Sequence, residues 1–122
     1  MQTIFRLLSG LVLGVTLLTA CKPNLEEQLQ NPRVGDVYVV QFQPVNTQLQ
    51  RYYFYQVAAV RPDAVDLHPA RQEATDAQAS TAAPNFFSDN TLTYTRAEAL
   101  ELLQEQPGDV QHTRLVQVRS AD

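Results

Sequence analysis

Apolar and polar positions alternate along most of this chain in short runs, each closed by turn residues. "VYVVQFQ" (37–43) follows Gly35-Asp36 and precedes Pro44-Val45-Asn46-Thr47. Tyr38, Val40 and Phe42 alternate with Val37, Val39 and Gln41, which predicts a strand. "RYYFYQVAAVR" (51–61) is the strongest strand signal, because aromatic and β-branched side chains suit a pleated surface. A period of two puts Tyr53, Tyr55, Val57 and Ala59 on one face, and Tyr52, Phe54, Gln56, Ala58 and Val60 on the other. Pro62-Asp63 marks a tight turn, and "AVDLH" (64–68) reads as a returning strand with Val65 and Leu67 inward. "PARQEATDAQASTAAPN" (69–85) contains no large hydrophobe, so a flexible, exposed loop is expected there. A short strand is expected at 91–95. Thr95 and Glu98 then have capping-box spacing, opening the helix "RAEALELLQEQ" with Ala99, Leu100, Leu102 and Leu103 available for burial. Pro107-Gly108 stops that helix, and "VQHTRLVQVR" (110–119) predicts a last strand with Val116 and Val118 on one face and Leu115 on the other.

This order predicts a mostly β, α+β fold of about five strands with one short helix before the last strand. Sequential antiparallel strands in so small a chain curl into a sheet or close into a barrel. In strand order and size the pattern resembles a Src-homology-3-like barrel, a likeness of fold that implies no activity. An open sheet with one helix packed on it is the alternative.

The amino-terminal stretch follows a different logic. Arg6 precedes Leu7–Ala20, fourteen residues interrupted only by Ser9, Gly10, Gly14, Thr16 and Thr19. A helix that spans a bilayer needs about 20 apolar residues. Fourteen suits the apolar region of a secretory signal, so residues 1–20 are expected to be removed. The run ends Leu18-Thr19-Ala20-Cys21: an aliphatic residue, two small ones, then the chain's single cysteine. This resembles the lipobox of bacterial lipoproteins. Beyond residues 1–21 the likeness is only to small envelope lipoproteins in general.

The resemblance implies a Cys21 thiolate that attacks a lipid donor, cleavage just before Cys21, and acylation of the new amino terminus. It also implies a cell-envelope location with the membrane held through lipid on Cys21. Because Lys22 rather than an aspartate follows the cysteine, the outer membrane is favoured over the inner. Residues 21–33 then read as a lipidated polar tether, and 34–122 as a single small β-rich domain.

Charge narrows the partners. From Cys21 onward the chain carries eight basic and thirteen acidic residues, a balance that argues against nucleic acid. With Cys21 lipidated no thiol is left for a disulfide, so core packing must hold the domain. No catalytic residue, metal site or cofactor is expected. His68 and His112 lie in no catalytic motif, Asp66-x-His68 with Glu73 and Asp76 is a spacing common by chance, and Glu98, Glu101 and Glu105 form one charged helix face. Nor does any glycine-rich phosphate loop occur.

Tyr52-Tyr53-Phe54-Tyr55 stands apart from the rest. If Tyr52 and Phe54 point inward, Tyr53 and Tyr55 share the outer face and could bind an envelope protein or a glycan. The competing reading is a purely structural cluster with both faces covered. The expected function is a non-enzymatic, lipid-anchored binding or accessory module. The alternatives are an envelope enzyme with an unrecognised site, or an inhibitor or immunity protein.

Overall fold

The computed structural model describes residues 24–121. The expected signal peptide and Cys21 lie outside the described residues. Five strands form one antiparallel sheet: β1 (Val37–Phe42), β2 (Arg51–Val60), β3 (Ala64–Pro69), β4 (Leu92–Thr95) and β5 (Arg114–Arg119). Their order is β4-β3-β2-β1-β5. The last strand lies beside the first while β4 and β5 remain as edges, so the sheet is unclosed. Among the described residues two six-residue helices accompany it, α1 (Leu25–Gln30) and α2 (Arg96–Glu101), the second just before β5. The fold is mostly β, with a short helix ahead of the last strand, as the sequence pattern predicts.

Helices this short are not stable alone, and both depend on caps and packing. The Asn24 side chain accepts from the Glu27 amide at 2.8 Å and opens α1. Thr95 and Glu98 form the expected capping box on α2. That helix is shorter than "RAEALELLQEQ" suggests. The Leu102 carbonyl accepts from the Leu115 amide at 2.7 Å, so β5 takes the group that another helical turn would have used.

Both faces of the sheet are covered, by different means. On the helix side, α1 and α2 cover Tyr38, Val40, Val57, Val65, Leu67, Leu115 and Val118. Leu29 is 1% exposed there, and Leu25 packs beside it. Residues 25–33, expected as tether, are therefore packed onto the sheet; Leu25 and Leu29 are one helical turn apart and share a buried face. Asp36 is buried, and accepts from the Arg33 amide at 2.9 Å and the Ala121 amide at 3.0 Å, joining the two ends of the described chain. Gly35 makes this closure possible. Its φ is +96°, and a Cβ there would meet the Ala121 Cβ at 3.0 Å.

On the other face, residues 70–87 run as a strap that closes over Val37, Val39 and Phe54, with Ala70, Ala74, Ala77, Ala79, Phe86 and Phe87 as cover. Residues 69–85 are the segment expected as an exposed flexible loop; most of their side chains are exposed, while Ala70 is buried and Ala74, Ala77 and Ala79 pack on the sheet. The contacts come from backbone, from these alanines and from Phe86 and Phe87 just beyond. Tyr52 and Ala74 exchange backbone hydrogen bonds at 2.9 and 2.8 Å, and the Ala70 amide donates to the Phe54 carbonyl at 2.8 Å. The Arg119 guanidinium donates to the carbonyls of Ala79, at 2.8 Å, and Ala77, and lies 4.9 Å from the centre of the Phe54 ring. The bonds to Phe54 and Tyr52 prolong β3 along β2 in the plane of the sheet, and Arg119 holds the part that crosses the face.

Two register shifts alter the expected faces. β5 pairs Gln117 with Val39 but Leu115 with Val40, so Val116 is the extra residue of a bulge. Leu115 and Val118 consequently both reach the helix-side core and Val116 goes to the strap side, correcting the face assignment that strict alternation gives. Likewise Ala58 is the extra residue between Val57↔Leu67 and Ala59↔Asp66, and Val60 pairs with Val65.

Candidate functional site

β1 and β2 lie at the centre of the sheet, so Val40 and Tyr53 are directly opposite, as are Tyr38 and Tyr55. The helices cover the Tyr38 end of this face. Toward the β1–β2 loop the cover stops, leaving a shallow groove of about 280 Å³ lined by Val40, Phe42, Tyr53, Tyr55, Glu73, Gln111 and Thr113. The sequence-predicted pair is thus brought together: the rings of Tyr53 and Tyr55 stack with centroids 5.3 Å apart and planes 29° apart.

Neither tyrosine stands on a bare outer face. Tyr55 packs against the helix-side core, and burial, aided by Tyr94 and Tyr53, pushes its hydroxyl up to about 12, so it stays protonated across the physiological range. Tyr53 Oη donates to the Ala70 carbonyl at 2.6 Å, fixing the ring. Phe54 points the opposite way and is 0% exposed, in line with its expected inward direction.

The rim was not legible as a site. Gln111 and Thr113 are held by Asp109, whose carboxylate accepts from the Gln111 amide at 2.9 Å and the Thr113 amide at 2.8 Å. These two backbone bonds, that of Thr113 foremost, hold the Asp109 carboxyl below its ordinary range. The Gln43 amide donates to the Gln111 carbonyl at 2.7 Å, tying this turn to the β1–β2 loop. The available signal was Asp109 two residues before Gln111 and just after Pro107-Gly108, a pattern typical of side-chain-to-backbone turns. Glu73 closes the other rim, its Oε1 3.5 Å from Arg51 Nε.

The remaining candidates have local structural partners. Asp66 Oδ1 is bonded by Arg61 at 2.6 Å and by the Thr93 hydroxyl at 2.8 Å. His68 sits within β3 opposite Gln56. His112 Nδ1 lies 2.6 Å from Glu105 Oε1 in an exposed pair, while Glu98 caps α2, so the three glutamates do not act as one helix face. Among the described residues no group of three or more His, Cys, Asp or Glu side chains could hold a metal ion.

No known protein family, curated protein or solved structure matches this chain.

Proposed function

We propose that this is a lipid-anchored protein of the cell envelope whose domain serves as a non-enzymatic binding module, with the Tyr53–Tyr55 groove as its binding site. The anchoring half of this reading rests on Leu18-Thr19-Ala20-Cys21 at the end of a fourteen-residue apolar run. Two or more acyl chains on one cysteine suffice for a stable anchor. The binding half is supported by a concave site with a fixed aromatic floor and a few polar groups on its rim, the usual make-up of a ligand site. Lys22 after the cysteine favours the outer membrane.

Labelling of cells with a tagged fatty acid tests the anchor. Label should appear on the wild type and vanish with Cys21→Ser, which should also leave the precursor uncleaved. Equal label on both would overturn it. For the groove, a photo-crosslinking residue at position 111 should capture a partner in cells, and Tyr53→Ala should abolish that capture.

A further inference from the structure

The hydrogen-bonding character of the groove selects among ligand classes; this inference rests on the reading of the groove as the binding site. Its floor offers ring and aliphatic surface from Tyr53, Tyr55, Phe42 and Val40. The Tyr53 hydroxyl proton is committed to Ala70, so it is not on offer to a ligand. On the rim, Glu73 accepts only, with one oxygen already facing Arg51; the Gln111 side-chain amide both donates and accepts; and the Thr113 hydroxyl, its proton given to Asp109, is left to accept.

Three ligand classes fit this set poorly. Among the described residues no Lys, Arg or His lines the groove, and the guanidinium nearest the rim carboxylate, Arg51, is paired with it. A phosphate or carboxylate ligand would have to compete with Glu73 for that one guanidinium. An extended peptide that binds by strand addition needs a free sheet edge. The groove lies over β1 and β2, which are both paired on either side. A proline-rich peptide stacks on aromatic rings but offers no N–H donor at its prolines, so the Gln111 side-chain carbonyl and the Glu73 acceptor sites beyond the one facing Arg51 gain nothing from it.

A ligand with apolar faces and many neutral hydroxyls satisfies every one of these groups. We propose that the groove binds a neutral oligosaccharide, with the apolar face of a pyranose ring on the Tyr53–Tyr55 pair and its hydroxyls on Glu73, Gln111 and Thr113. Glu73 accepts from a hydroxyl beside its contact with Arg51, Gln111 bonds one hydroxyl as donor and one as acceptor, and Thr113 accepts from another. Pinning of the Tyr53 ring by Ala70 and of the Gln111 and Thr113 backbone by Asp109 leaves mainly the exposed Glu73 and Gln111 side chains to be ordered on binding.

The test is calorimetric titration of the full chain in phosphatidylcholine nanodiscs with cellohexaose and chitohexaose, beside hexagalacturonate and decaproline. At least one neutral hexasaccharide should bind saturably, and the other two probes should not. Glu73→Gln and Gln111→Ala replace exposed side chains, so circular dichroism should be unchanged while affinity falls roughly three- to tenfold for each lost bond. Absence of saturable binding by either neutral hexasaccharide, equal binding of hexagalacturonate, or affinity indifferent to both substitutions overturns the proposal. So does saturation by decaproline. If no hexasaccharide binds while crosslinking at position 111 still recovers a protein in a Tyr53-dependent way, the saccharide is wrong and the binding-module reading stands. If crosslinking fails as well, both fall.

Discussion

The two faces of the sheet are closed by different chemistry. On the helix side, Leu29, Leu67, Leu115 and Val57 interdigitate with leucines of α1 and α2 and of the turn after α2, a contact made of aliphatic volume. On the strap side the cover is alanine and two phenylalanines over Phe54, with ring centroids 5.8 Å apart for Phe54–Phe86 and 4.9 Å for Phe86–Phe87. There the strap is held by backbone hydrogen bonds and by Arg119. Volume that fills a space is non-directional and tolerates small shifts. Directional bonds fix a segment that buries little of its own. A stretch such as 70–85, without large hydrophobes, can thus be positioned when the body supplies donors and Phe86 and Phe87 close its end.

The largest test of this contrast is Phe54→Ala, which removes the ring that both the strap and Arg119 contact. A core Phe→Ala change costs about 3–5 kcal/mol, comparable to the whole stability of many small domains, so the domain should unfold or lose most of its cooperative melt. Tyr53→Ala, half-buried at the groove where the ring also touches the strap-side cluster, should retain the fold. Equal unfolding by both would erase the distinction between a core ring and a groove ring.

Leu29→Ala comes next, with about 2–3 kcal/mol lost, the low end for buried leucine because a surface helix can settle into the space. Urea denaturation should show a lower midpoint with α1 loosened and the strap intact. No change would mean that residues 25–30 contribute only as tether.

Arg119→Met keeps an unbranched apolar stem but removes two charge-assisted bonds. We expect about 1–2 kcal/mol, reduced from the usual range by partial exposure. The signature should be local: faster amide exchange across 74–80 with the helix-side core still protected. Uniform loss of protection would show that the strap folds as one unit with the sheet.

Smallest is a pH effect at the groove rim. The Asp109 carboxyl is held below its ordinary range. Its contribution is therefore present above the carboxyl pKa of the unfolded chain and is lost as pH falls through the lower folded value. Amides of Gln111 and Thr113 should shift and exchange faster in acid, and Asp109→Asn should show the weakened rim at neutral pH. An acid-insensitive rim would place its stability elsewhere, in the bond between Gln43 and Gln111.

The strands and the second helix were readable because their causes are local. Alternation and aromatic content mark β1 and β2, and Thr95 with Glu98 marks α2 whatever the rest of the chain does. The bulges at Val116 and Ala58 were not readable. A bulge is a property of two strands in register, and one strand's alternation carries no trace of it. The strap was read by what it lacks, since alanine gives little hydrophobic signal. Its position depends on Arg119, some forty residues away in the chain. The first helix had a legible signal in Asn24, Leu25 and Leu29, outweighed by the polar residues around them. Of the groove, sequence supplied Tyr53 and Tyr55. It could not supply Glu73, Gln111 and Thr113, which only the folded sheet brings to the same ring pair.

The early start of α1 sets a length. Asn24 already caps the helix and Leu25 already packs, so with lipid on Cys21, as proposed, only Lys22 and Pro23 separate the anchor from the folded body. Four Cα steps from Cys21 to Leu25 reach roughly 14 Å even fully extended. A body on so short a leash does not sample the depth of a compartment. It moves as part of the bilayer surface, and its encounters become lateral ones within a thin layer where the local concentration of any membrane-adjacent ligand is high. Modest intrinsic affinity in the groove then suffices for occupancy, and a ligand standing farther from the membrane is out of range whatever its fit.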